Sequence, residues 1–275
     1  MNIATEVLEL LQLEFFWRAV IASTLAGLIC GFVGPYLSWR NLGLLGASLS
    51  HAALTPISLA YMIGVSVKWL LLPFSLLISL IIAYLKEKNY NSLDSVLAIF
   101  YSGFMALGIL FLSQLEFGST EMVHLLFGDI LTVSWSDVLF LLFVFVFILV
   151  FAIKFKKPLL LSLVHPELAK VEGKNMKYFT YACFAIIGLC VVASLKIIGL
   201  VLLTCLMMAP TLMATKRTKS LKAHFLFCSL AGALLAFVGI LLSAVFNLPS
   251  GASIASLAML VFFINLLLPA TNKQS

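Results

Sequence analysis

Hydrophobic residues make up 63% of this 275-residue chain and charged ones only 10%, against about a quarter charged in an ordinary soluble domain. That excludes a water-soluble globular protein and leaves a chain with most of its length in lipid. The formal net charge of +6 lies in the loops between apolar runs, so it calls for no nucleic-acid partner.

A helical crossing needs about 20 apolar residues, and crossings are expected at 15–38, 44–62, 66–85, 93–113, 138–153, 178–195, 197–214, 224–246 and 250–268. Barrel strands would alternate over about ten residues, which these continuous runs do not. The expected fold is all-α: a polytopic helical membrane protein of eight or nine transmembrane helices, the count depending on 114–137, forming one transmembrane domain over 1–275. The opening "MNIATEVLELLQLEFF" has Glu6, Glu9 and Glu14 and no basic residue before Arg18. It lacks the positive start of a secretory signal and is expected to be retained. The cysteines, Cys30, Cys183, Cys190, Cys205 and Cys228, are odd in number and all in apolar runs, so they read as small core residues rather than a disulfide framework.

Short loops rich in Lys and Arg stay cytoplasmic. Nine crossings from an outside N-terminus to a cytoplasmic C-terminus put 14 of the 17 basic residues inside, leaving Arg18, Lys68 and Lys196 outside. Glu6, Glu9, Glu14, Glu116, Glu121 and Asp137 then fall outside. They suit a cationic substrate or a docking protein, or are simply solvated loop ends.

In the second run, "LLGASLSHAALTP" (44–56) puts His51 in otherwise apolar surroundings. An ionisable group inside a membrane is a candidate for a substrate path; the alternative is a structural hydrogen bond to a neighbouring helix. The residue one turn earlier is Ala47. Asp129, in "HLLFGDILTV", is a candidate ligand or an ordinary helix cap, and His124 nearby could face the same mouth. Residues 154–177, "KFKKPLLLSLVHPELAKVEGKNMK", form the longest basic connection. Its centre, "HPELAKVEG", predicts a short amphipathic helix beneath the bilayer, either a plain linker or a docking helix.

Lys196, in "ASLKIIGL", is expected to snorkel to the interface. The run "LLTCLMMAP" sets Cys205, Met207 and Met208 before Pro210, either packing residues or a soft-metal site suited to Cu⁺. Gly232, Ala236 and Gly239 put small residues along one helix and favour close packing. No GxxxxGK[ST] phosphate loop is present, since "EGKN" lacks the earlier glycine and the hydroxyl residue. The chain is not expected to hydrolyse ATP on its own.

Four blocks, "SWRNLGLLGASLSHAAL", "LLFGDILTVSWSDV", "HPELAKVEG" with the following span to "LMMAPTLMA", and "LPSGASIASLAMLVFF", resemble in order the ABC-type zinc/manganese/iron permeases over about Gly34 to Phe263. The resemblance implies a dimeric permease of the bacterial cytoplasmic membrane, homo- or heterodimeric. It would receive a divalent metal ion (zinc, manganese or iron) from an extracytoplasmic binding protein. Separate cytoplasmic ATPase subunits would use the ATP, with Glu167, Ala169 and Gly173 in the ATPase groove. The family pattern at 46–51 is Gly-Asp-x-x-x-His, with both side chains on one helix face about 6 Å apart at the β-carbons. Carboxylate and imidazole together suit Zn²⁺, Mn²⁺ or Fe²⁺.

Here His51 matches, but Ala47 replaces the aspartate, and the family's "LPG" reads "LTP". A metal at His51 would then need water, the hydroxyls of Ser48, Ser50 or Thr55, or another span. Three outcomes are open: a permease with an altered site, a degenerate half of a heterodimer whose partner supplies the intact pair, or a relative with different cargo. An ion-coupled secondary transporter is a further alternative, and it would require membrane-embedded carboxylates.

Overall fold

The computed structural model describes residues 13–88, 93–115, 127–128, 132–164, 168, 174–200, 202–246 and 248–268. Its helices are α1 (Glu14–Trp39), α2 (Gly43–Ala52), α3 (Leu54–Ile63), α4 (Val67–Glu87), α5 (Leu93–Leu112), α6 (Trp135–Lys154), α7 (Lys156–Val164), α8 (Lys174–Ile198), α9 (Leu203–Thr215), α10 (Leu221–Phe246) and α11 (Ser250–Leu267). Among the described residues, eight stretches are long and apolar enough to cross a membrane, with α2 and α3 together forming one of them. These match eight of the nine expected runs.

The ninth, 197–214, is cut differently. Its first two residues end α8, Gly199 turns the chain with φ 87°, and α9 then runs for 13 residues. That is about 20 Å of helix against a hydrocarbon core of about 30 Å. Hydropathy runs unbroken through the turn, which is why the composition reads as one span.

Local chemistry sets the other ends. Pro56 has no N–H to give and sits in the first turn of α3, where none is needed; the helix is interrupted by a turn at Ala53, between α2 and α3. Gly64 closes α3 in the left-handed region, φ 78°, and its N–H and that of Val65 both bond to the Ala60 carbonyl. At the start of α6, the Ser134 N–H donates to Asp137 (3.0 Å) and the Asp137 N–H returns to the Ser134 hydroxyl (3.4 Å). This reciprocal pair is a capping box.

By packing, the chain forms two compact units: Met1–Ser38, Gly118–Leu142 and Ala193–Ser275 in the first, Trp39–Phe117 and Phe143–Val192 in the second. The first is built on close backbone contact. Gly27, Gly31 and Gly34 lie along one face of α1; a Cβ at Gly31 would collide with the Cys228 carbonyl of α10, and one at Gly34 with the Met207 carbonyl of α9. The small residues expected on α10 divide their work, Gly232 and Ala236 meeting Gly27, and Gly239 meeting Ile254 of α11. Polar side chains then bond across the seams: Ser229 donates to the Leu28 carbonyl (3.0 Å) and Arg217 Nε to Asn265 Oδ1 (2.8 Å).

Lys196 does not snorkel alone. Its ammonium pairs with Asp137 at 2.6 Å and donates to the Thr132 carbonyl at 2.9 Å. Asp137 is only 6% exposed, so it is a buried, paired cap and not a solvated loop end. Glu14 likewise accepts a bond from Trp135 Nε1 at 2.8 Å.

In the second unit, α2 and α3 pack against α5 and α3 against α4. Gly108 of α5 lets Leu54 lie directly on its backbone. Ser48 donates to the Leu97 carbonyl (2.8 Å), Thr55 to the Phe104 carbonyl (2.6 Å) and Ser75 of α4 to the Gly188 carbonyl of α8 (3.1 Å).

Replacing Gly31 by Val forces the α1–α10 seam apart, and the melting temperature of the detergent-solubilised protein falls, consistent with overpacking of about 1–3 kcal/mol. Gly103, with open space around it, is the control: Gly103→Ala stays within roughly 0.5 kcal/mol of the parent.

Candidate metal path at His51

His51 lies in the last turn of α2 and is 7% exposed. Its Nδ1 is 2.9 Å from the Ala47 carbonyl. A carbonyl oxygen only accepts, so Nδ1 carries the proton and Nε2 keeps the lone pair. The ring is thus bonded within its own helix rather than to a neighbour. Against its side lies Tyr101 of α5, with ring centroids 4.2 Å apart and tilted by 48°. A backbone carbonyl on one nitrogen with the other left bare is the usual arrangement of a metal-binding imidazole.

The hydroxyls expected as possible co-ligands are already donating. Ser48 and Thr55 reach α5, while Ser50 donates back to the Gly46 carbonyl at 2.8 Å. They hold α2 and α3 in place around His51, and their oxygens keep lone pairs beyond the O–H bonds they donate. Ala47, half-buried on the His51 face, contributes its carbonyl and no side-chain donor. Among the described residues, no group of three or more His, Cys, Asp or Glu converges as a metal cage.

The remaining candidates are placed as follows. Cys205 and Met208 lie one turn apart on α9, both half-buried, and the Cys205 thiol points to the Ala255 carbonyl of α11 at 3.8 Å. Met207 is fully buried, and the Cys228 thiol donates to the Pro210 carbonyl at 3.5 Å. Asp129, His124, Glu167, Ala169 and Gly173 lie outside the described residues, as does most of "HPELAKVEG". What the structure describes in that connection is α7, which precedes the expected helix.

Comparison with known proteins decides the class. The profile of the ABC 3 transport family matches residues 12–269. The chain belongs to the ABC 3 transport family. It is a membrane-embedded transport permease. Over 255 residues it is 30% identical to the manganese transport system membrane protein MntC of Listeria monocytogenes, covering 93% of this chain and 91% of that one. Over 252 residues it is 31% identical to the manganese import system permease protein ScaB of Streptococcus gordonii, covering 92% and 90%. Among solved structures it is similar to PsaBC from Streptococcus pneumoniae in complex with Fab, with a TM-score of 0.84, 29% identity and coverage of 97% and 96%.

What the sequence did not reveal is the pairing of Asp137 with Lys196, because the two lie 59 positions apart. The Ser-x-x-Asp spacing of a capping box was the one available signal.

Nitrogen NMR on histidine-labelled protein is expected to show His51 as the Nδ1–H tautomer. A protonated Nε2 with a bare Nδ1 would contradict the bond to Ala47.

Proposed function

We propose that this permease imports a divalent transition metal ion, with the ion passing the bare Nε2 of His51. The observation carrying this reading is a lone, tautomer-fixed imidazole in a membrane span of a chain whose relatives are named as manganese permeases. Manganese is the first cargo to test because relatives are named for it, and zinc and iron the next because an imidazole ligand suits them. An extracytoplasmic protein delivers the ion, and a cytoplasmic ATPase drives the permease dimer by rocking the spans between outward and inward states. The ATPase docks on the 154–177 connection, with Glu167, Ala169 and Gly173 in its groove. The N-terminus lies outside and the C-terminus in the cytoplasm, following the basic loops.

Import by alternating access needs passing affinity rather than a cage. One imidazole completed by water binds weakly and releases readily. Without a carboxylate at position 47, less charge offsets the cost of a divalent ion in low dielectric. An ion-coupled secondary mechanism finds no support among the described carboxylates: Glu14 and Asp94 are exposed in the first turns of α1 and α5, Glu87 ends α4 paired with Lys177, and buried Asp137 is paired with Lys196. Ala47 also supports a second reading, in which a non-identical partner permease carries the intact Asp-x-x-x-His and this chain serves as its scaffold.

Uptake in cells stripped of their own zinc and manganese importers separates the two, using this chain with its partner subunits. His51→Ala is expected to lower metal uptake at least about tenfold, and Ala47→Asp to raise it or change which metal enters. Uptake unaffected by either substitution would move the path to the partner permease.

A further inference from the structure

Three side chains at one end of the second unit bind neighbouring elements to each other. Arg40, one residue past α1, donates from Nη1 to the Ser162 carbonyl of α7 at 3.1 Å. Lys86, in the last turn of α4, donates to the carbonyl of Arg40 itself at 3.1 Å. Next to it, Glu87 pairs with Lys177 of α8 at 3.2 Å. The acceptors follow from helix physics, since the last carbonyls of a helix have no partner within it and carry its negative end. Ser162 is in the final turn of α7, and Arg40 follows immediately on α1.

The described flanks of the 154–177 connection are therefore both bonded to neighbouring elements. Its leading flank is bonded to Arg40 and its trailing flank to Glu87, and Lys86 joins the two. From Arg40 the connection to α2 is very short: only Asn41 and Leu42 intervene before Gly43. Asn41 holds φ 54°, Leu42 is fully buried, and the Leu45 N–H bonds to the Leu42 carbonyl at 2.9 Å. Such a connection has no slack. A displacement of Arg40 enters α2 at its first turn and reaches His51 eight residues on, about 12 Å along the axis.

We propose that Arg40 is a positioning residue that carries a displacement of the Lys156–Val164 helix into the helix bearing His51. This rests on the reading that an ATPase docks on the 154–177 connection, but not on which cargo is carried. In one nucleotide state the α7 carbonyl draws the guanidinium and α2 with it; in the other it returns. The change at His51 is in the position of α2, since the imidazole stays bonded to the Ala47 carbonyl of the same helix.

The test follows α2 directly and needs no transport. The permease is assembled with its ATPase subunits and carries Ala47→Cys as reporter. Maleimide labelling at position 47 is measured without nucleotide and with ATP trapped by vanadate, against the Ala47 parent as background. With Arg40 present, the two rates are expected to differ by about fivefold, the low end of ordinary coupling between sites. Arg40→Ala is expected to bring the ratio near one while the assembled complex still hydrolyses ATP, and Arg40→Lys to restore part of it. Lys86→Met, which removes the bond to the Arg40 carbonyl, is expected to act in the same direction should Arg40→Ala fail to assemble. An unchanged ratio in the variants, or no nucleotide response with Arg40 intact, overturns the proposal. Because labelling is read instead of uptake, a wrong cargo leaves this result standing, and failure here leaves the His51 path standing.

Discussion

The structure depends on one constraint: inside a bilayer, every backbone polar group must find its partner within the protein. Apolar burial gives little drive for helices to associate there, since lipid is as apolar as leucine. What joins them is close backbone approach and bonds from small hydroxyls to carbonyls. Gly27, Gly31 and Gly34 provide the first in one unit and Gly108 in the other. Ser48, Thr55, Ser75 and Ser229 provide the second.

That constraint also explains why His51 stands out. The hydroxyls around it are already donating to carbonyls, and its own Nδ1 is committed to Ala47. Only Nε2 remains as a side-chain nitrogen donor on that turn. The same bonds that fix α2 and α3 against α5 thus orient a single unprotonated imidazole nitrogen, and the Ala47 side chain offers no donor atom beside it.

Much of this was legible in the sequence, for identifiable reasons. Eight crossings are readable because twenty apolar residues have few other uses, and His51 because a lone imidazole in such a run is conspicuous. The small residues of α10 were readable from their spacing. The α9 helix was not, since Gly199 turns the chain without interrupting its hydropathy. The pairing of Lys196 with Asp137 was hidden because it joins positions 59 apart, and hydropathy assigns each charge only to a loop. The glycine face of α1 has the same small-residue spacing as α10, yet nothing in the sequence says which helix it meets.

The central claim is that His51 Nε2 meets the transported ion. Pulsed electron paramagnetic resonance on the Mn²⁺-loaded transporter tests it most directly, since a coordinating imidazole imprints a nitrogen coupling on the metal spectrum. The account predicts that coupling in the parent and its loss in His51→Gln. A spectrum without nitrogen coupling, or one unchanged by the substitution, would contradict it.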